Sequence, residues 1–248
     1  DLPTQMFAEE QTRRFASALM RNRARSERRT FAFTAVKPGG GATTCVLDTA
    51  RVLVQLGARV LVVEADARAP VPGLDTGEPG LSDFLAGKAA LAALPRPFTY
   101  RECGLEGVGI GSEGERGLKR LDLLAGAVAE WSASYDYVLF DLPPILLSAD
   151  AEMLIDLLGQ VFLVVEAEAV SAGEIGRARR LLQKIDPEAV GLFVNKVPVF
   201  RGSGYMEGLI AETLTGTRFE NFMSLAQWKL WWEVLRVKWA ARRAGREG

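Results

Sequence analysis

Ala35-Val-Lys-Pro-Gly-Gly-Gly-Ala-Thr-Thr44 is the stretch on which the reading of this chain turns. Gly39, Gly40 and Gly41 let backbone N–H groups turn inward around an anion, and a helix starting just after them adds its positive N-terminal end. A phosphate-binding loop of this type carries a lysine directly before its Ser/Thr. That ammonium meets the outer phosphates while the hydroxyl serves a metal. Here Thr43 and Thr44 follow the glycines, but the lysine position is Ala42. The cradle is kept and its cation is missing.

Outward from the loop, the pattern is strand, loop, helix, repeated. The apolar run Thr30–Val36 leads into the glycines. In residues 43–56, Val46, Leu47, Ala50, Leu53 and Val54 recur at the helical period and leave one stripe to pack on a sheet, with Gly57 as C-cap. Val60–Val63 is a continuous apolar run, as expected of a strand buried on both faces of a parallel sheet. Tyr137–Asp141, Val161–Glu166 and Val190–Asn195 repeat it. Helices are expected over 5–24, 114–133 and 171–184, short strands over 98–111, and a short helix in Gly80–Gly87 capped by Ser82. This alternation specifies an α/β fold: a doubly wound, mostly parallel sheet flanked by helices, of the P-loop NTPase kind.

The expected division is a phosphate-loop domain over 1–218 and an extra amphipathic helix within 219–248. That last stretch holds Trp228, Trp231, Trp232 and Trp239 with Lys229, Arg236 and Lys238 threaded among them. Its composition suits contact with a membrane interface over 219–243; packing on the sheet or on another subunit is the alternative.

Lys+Arg is 30 and Asp+Glu 31, so overall charge points to no nucleic-acid partner. Residues 11–30 nevertheless carry seven arginines against Glu27 alone, which suits either an anionic surface or a solvated helix face. The chain has no histidine, which removes His-based acid–base chemistry and His metal sites. Its two cysteines, Cys45 and Cys103, lack metal spacing and suit a reducing compartment.

Two further strands end in telling residues: Glu64-Ala-Asp66-Ala-Arg68-Ala-Pro70 and Asp141-Leu-Pro-Pro144. A carboxylate after a buried strand, beside a phosphate loop, suits Mg²⁺ or a water bound to it, because that ion takes hard oxygen ligands. Thr43, Asp66 and Asp141 form the candidate metal set.

These segments together resemble the cytoplasmic domain of bacterial tyrosine kinases (BY-kinases), over about residues 8–200. Val36–Thr44 is similar to that family's phosphate loop, Glu64–Pro70 to its second acidic motif, and Phe140–Pro144 to its strand-end Asp followed by two prolines. Gly80-Leu-Ser-Asp-Phe-Leu85 also has a family counterpart. The resemblance implies ATP or ADP with Mg²⁺, weakened or lost here. It implies Glu64, Asp66 and Asp141 as catalytic residues, and Lys37, Gly39, Gly40, Gly41, Thr43, Thr44, Arg68 and Asn195 as nucleotide contacts. It also implies a place at the inner face of the plasma membrane, in the cytoplasm, with a membrane polysaccharide copolymerase as partner and self-association through the 5–24 helix.

The departures from the family are as telling. Ala42 lacks the ammonium, and Glu64 stands for the first Asp of its motif. Ala16 ends a Glu10-x-x-Arg13-x-x segment that the family closes with arginine. The family's C-terminal tyrosine cluster is absent, Tyr205 being the only tyrosine after Tyr137. The expectation is a catalytically degenerate regulatory or scaffold domain of exopolysaccharide or capsule export. An active kinase or ATPase, and a membrane-associated positioning ATPase of the MinD/ParA type, are the alternatives. Lys37 lies where the latter carry a lysine that reaches a partner's phosphates.

Overall fold

A computed structural model describes residues 2–26, 28–74, 77–112, 120–158, 160–182 and 190–197. Seven strands form one sheet: β1 (Thr30–Ala35), β2 (Val60–Glu64), β3 (Arg96–Tyr100), β4 (Cys103–Val108), β5 (Tyr137–Asp141), β6 (Val161–Glu166) and β7 (Val190–Asn195). Their order is β3-β4-β2-β5-β1-β6-β7. All neighbours run parallel except the β3–β4 hairpin at one edge. The doubly wound, mostly parallel sheet read from the sequence is the observed fold.

Strands buried on both faces need helices above and below. One face carries α1 (Leu2–Ser26) and α2 (Ala42–Gln55), packed over Phe31, Phe33, Val62, Leu139 and Val164. The opposite face carries α3 (Leu81–Leu85), α4 (Leu121–Ser134), α5 (Ala149–Leu158) and α6 (Ala172–Leu182), over Ala32, Leu61, Val63, Val138 and Leu163. Successive strand residues thus alternate between two cores, as the two-residue strand period requires.

The structure corrects some expectations. Helix α5 had no counterpart in the sequence reading. The cap of α3 is Gly80, not Ser82: Asp83 reaches back to accept the Gly80 N–H at 2.8 Å, and the Ser82 hydroxyl is buried without a partner. Gly57 sits one position past the cap of α2, which is Leu56. Of the expected 114–133 helix, residues 121–133 are helical and Arg120 is the cap, while 114–119 lie outside the described residues. The tail helix, the 218/219 boundary and Tyr205 lie outside the described residues.

Helix α1 is anchored by Phe15, whose ring meets Phe162, Phe193 and Phe33 edge-on at 4.9, 5.4 and 6.2 Å. Ala16, where the kinase motif has arginine, is fully buried on the same side of the helix, while Arg13 is exposed. Several residues of the arginine cluster tie the fold to itself. Arg23 pairs with Asp136 at 2.8 Å, Arg14 with Glu10 at 3.1 Å, and Arg29 donates to the Ser132 carbonyl at 3.0 Å. Phe15→Ala is expected to cost about 3–5 kcal/mol of stability through the cavity it leaves, measured by denaturant unfolding.

Candidate nucleotide site at the tips of the parallel strands

β1 leaves the sheet toward β2 through α2, whereas its neighbour β6 leaves in the other direction, toward β7. Such a reversal opens a crevice at the carboxyl ends of the two strands. The phosphate loop lies there. Gly41 adopts φ 90° as the N-cap of α2, and no side chain caps the helix. Its first N–H groups therefore have no acceptor within the helix. Packing against the loop is close: a Cβ on Gly41 would come within 2.1 Å of the Asn195 amide nitrogen. Only glycine fits. Ala42 opens α2 and is buried in the apolar core beneath it.

The carboxylates divide into two kinds. Asp141, at the end of β5, is 1% exposed, and one of its oxygens is buried with no partner. Burial pushes its carboxyl up to about 7; a Thr43 hydrogen bond opposes the rise, while Asp66 and Glu64 add to it. Asp66, 7% exposed, accepts from the Arg68 backbone N–H at 3.1 Å and from its guanidinium at 3.2 Å. Thr43, Asp141 and Asp66 thus face one another without neutralising charge on Asp141. An orphaned buried carboxylate oxygen beside a hydroxyl and a second carboxylate fits Mg²⁺, which takes one or two carboxylates and completes its shell with water and phosphate. Among the described residues no group of three or more His, Cys, Asp or Glu could hold a metal. A hydroxyl and two carboxylates would leave the rest of an octahedral shell to water and a bound phosphate.

Glu64 is of the other kind. Its two oxygens accept the Val71 and Ile110 backbone N–H groups, the latter at 2.8 Å. The extra methylene lets it join β2 to the chain beyond β4. Asp83 completes this structural knot by accepting from the Ser112 N–H at 2.9 Å, while Leu81 N–H and Ser82 N–H donate to the Gly109 and Ile110 carbonyls. A Cβ on Gly80 would stand 2.2 Å from the Gly109 carbonyl, so the Gly-Leu-Ser-Asp segment needs its glycine to dock. Cys45 is core, its thiol pushed up to about 12 by burial.

Four charged residues, Lys37 of the loop itself with Glu166, Glu174 and Lys196, line its β6–β7 side, and of these the sequence had singled out Lys37 alone. Asn195 donates to the Gly40 carbonyl at 3.0 Å, and Lys196 donates to the Gly39 carbonyl at 2.7 Å. Lys196 also pairs with Glu166 at 3.2 Å, and Lys37 with Glu174 at 3.3 Å. Glu174 is held well below the usual carboxylate range, to about 2, first by the Ser171 N–H and hydroxyl and then by Lys37. Ser171-x-x-Glu174 is a capping box readable from sequence. Lys196 carries no such signal beyond its place after Asn195.

The fold is that of P-loop NTPases: a ParA family ATPase from Chlorobium tepidum superposes with a TM-score of 0.55 over 74% of this chain and 81% of that one, at 15% identity. Within the class, the chain resembles bacterial tyrosine kinases in sequence and structure. The kinase domain of Escherichia coli tyrosine kinase ETK gives a TM-score of 0.66 at 25% identity, over 80% of both chains. CapB of Staphylococcus aureus, a candidate tyrosine-protein kinase, is 24% identical over 204 residues, covering 79% of this chain and 87% of CapB. Tyrosine-protein kinase Wzc of Salmonella typhimurium is 27% identical over 178 residues, 70% of this chain but only 24% of Wzc. No family model matches the chain.

Two expectations test the division of carboxylates. Because the folded-state pKa of Asp141 exceeds its ordinary value, its ionised form destabilises the fold. That penalty is absent in acid and complete above about pH 7. Asp141→Asn should therefore raise the melting temperature most at pH 8, progressively less as the pH falls through the window from about 7 to 3.8, and little below that, by calorimetry. Glu64→Ala should cost about 2–3 kcal/mol in denaturant unfolding, since it orphans buried backbone donors.

Proposed function

We propose that this chain is a catalytically degenerate, kinase-like phosphate-loop domain. In this reading it serves a capsule or exopolysaccharide export machine as a regulatory or scaffold component, with nucleotide binding weakened and phosphoryl transfer lost. The observation that carries it is Ala42, a buried methyl at the first position of α2 where an ammonium would meet the phosphates. The two lysines near the loop are already engaged, Lys37 with Glu174 and Lys196 with Glu166 and a loop carbonyl. Charge on a transferring phosphoryl group is greatest in the transition state, so loss of the cation weakens chemistry more than binding.

The export context rests on the likeness to bacterial tyrosine kinases. With it come a cytoplasmic location at the inner membrane face, a membrane copolymerase partner and self-association. Burial of Ala16 weighs against the helix-borne ring contact of that family in its usual form. Contact of 219–243 with the membrane belongs to the same reading. Arg68 is paired with Asp66 and Thr44 is exposed at the loop; contact of both with a nucleotide belongs to the same reading. No helix of the described residues is long and apolar enough to cross a membrane.

A second reading, an active kinase or ATPase, is favoured by one observation: Thr43, Asp66 and Asp141 still converge, with one Asp141 oxygen unpartnered.

Titration of ATP and ADP, with and without Mg²⁺, separates the two. The Ala42→Lys revertant should bind about ten- to hundredfold more tightly than the natural chain, the worth of one charge-assisted contact. Equally tight binding by both would show the lysine dispensable. Transfer of labelled phosphate to Tyr205 or to a partner's tail, abolished by Asp141→Asn, would establish the active enzyme instead.

A further inference from the structure

We infer that Lys196 is the positioning residue that keeps the lysine-less phosphate loop set for a polyphosphate, by holding the Gly39 carbonyl outward from the β7 side. The inference rests on the nucleotide half of the function proposed above and assigns the residue that sustains it.

A trans peptide unit is planar, and its C=O and N–H point in opposite directions. The Gly39 carbonyl shares a unit with the Gly40 N–H, and the Gly40 carbonyl with the Gly41 N–H. Lys196 Nζ grips the first carbonyl at 2.7 Å, and Asn195 grips the second at 3.0 Å. Two consecutive units are thus fixed from one side, and their amide hydrogens face the other way. The Gly40 N–H turns back toward the Lys37 carbonyl at 3.3 Å, a long bond that closes the loop on itself. The Gly41 N–H faces away from Asn195. An ammonium on a carbonyl also polarises its unit, making the opposed amide hydrogen more positive. The hydrogen so polarised is that of Gly40, so Lys196 strengthens the closure onto Lys37 and thereby sets the loop in which the Gly41 N–H is left to meet an anion.

Lys196 is held in an unusual backbone state to do this. Its φ is 54°, in the left-handed region that residues with side chains seldom adopt. Its own N–H donates to the Asn195 side-chain oxygen at 2.8 Å, which steadies that conformation. One asparagine side chain thus grips the loop with its nitrogen and the lysine backbone with its oxygen. Glu166, at the end of β6, stands 3.2 Å from the ammonium, and both side chains are partly solvated. A pair of that kind is weak and exchangeable. Its carboxylate is also the negative charge that an incoming anion must face. Lys196 and Glu166 therefore act on anion binding with opposite sign.

The test uses the full chain with inorganic pyrophosphate and ADP as probes, read by calorimetry, with melting temperature recorded in parallel. Lys196→Gln should weaken pyrophosphate binding by about fivefold, the scale of one partly exposed charge interaction, and should flatten its salt dependence. Lys196→Arg should restore most of the loss. Glu166→Gln should tighten binding, although it removes a stabilising pair. If both neutral variants weakened binding in step with melting temperature, Lys196 would be merely structural and the inference overturned. Equal affinity of Lys196→Gln and the natural chain would also overturn it. No binding of either probe by the natural chain, with binding by Ala42→Lys, would overturn it too, while leaving the scaffold reading in place.

Discussion

β1 is hydrogen-bonded on both sides, to β5 and to β6, and its core residues are buried from above and below. A strand in that position can meet polar ligands only at its end. The whole site follows from this constraint. The chain must leave the sheet at Ala35, and the loop that takes it into α2 has the carboxylate of β5 on one side and the tips of β6 and β7 on the other. The Ile145 N–H donating to the Ala35 carbonyl, and the Thr34 hydroxyl donating to the Pro143 carbonyl at 2.7 Å, fix the Asp-Leu-Pro-Pro segment against the same strand end. Loop, carboxylates and clamp are set by one buried strand.

Charge is the second theme. Glu64, Asp66 and Asp141 are all nearly inaccessible, and the lysine that would face them in an intact phosphate loop is an alanine. The three carboxylates manage that burial differently. Glu64 is satisfied by backbone donors, Asp66 by its own Arg68, and Asp141 by a hydroxyl and a raised pKa. Of the three, Asp141 is the one with a fully buried oxygen left without a partner. The difference separates a carboxylate that holds the fold together from one that retains the properties of a ligand site. Glu64 stands where the resembled kinases carry Asp, and its oxygens meet the Val71 and Ile110 backbone amides.

The two sides of the loop are also unlike. On the β5 side lie carboxylates with little cationic company. On the β6–β7 side lie Lys37 and Lys196, each paired with a glutamate from β6 or α6. Positive charge has not vanished from the region. It has moved from inside the cradle to its outer wall, where it can bias the loop's backbone more readily than it can grip a transferring phosphate. That arrangement is the physical basis for proposing that the site holds an anion without reacting with it.

Much of this was legible in the residues. Continuous apolar runs at β1, β2, β5, β6 and β7 announced a parallel sheet, and the glycines, strand-end carboxylates and missing lysine announced the site, because each is a local pattern with a local cause. Helix α5 escaped because its ten residues follow two prolines and interleave acidic with apolar positions over less than three turns. The cap of α3 was misread because Asp83 and Ser82 are both plausible caps, and only the docking of Gly80 against Gly109 chooses between them. The tasks of Glu64 and Lys196 were decided by tertiary structure alone. Their partners lie 46 and 157 residues away, at Ile110 and Gly39, and no short-range pattern encodes which distant amide or carbonyl a flexible charged side chain will meet.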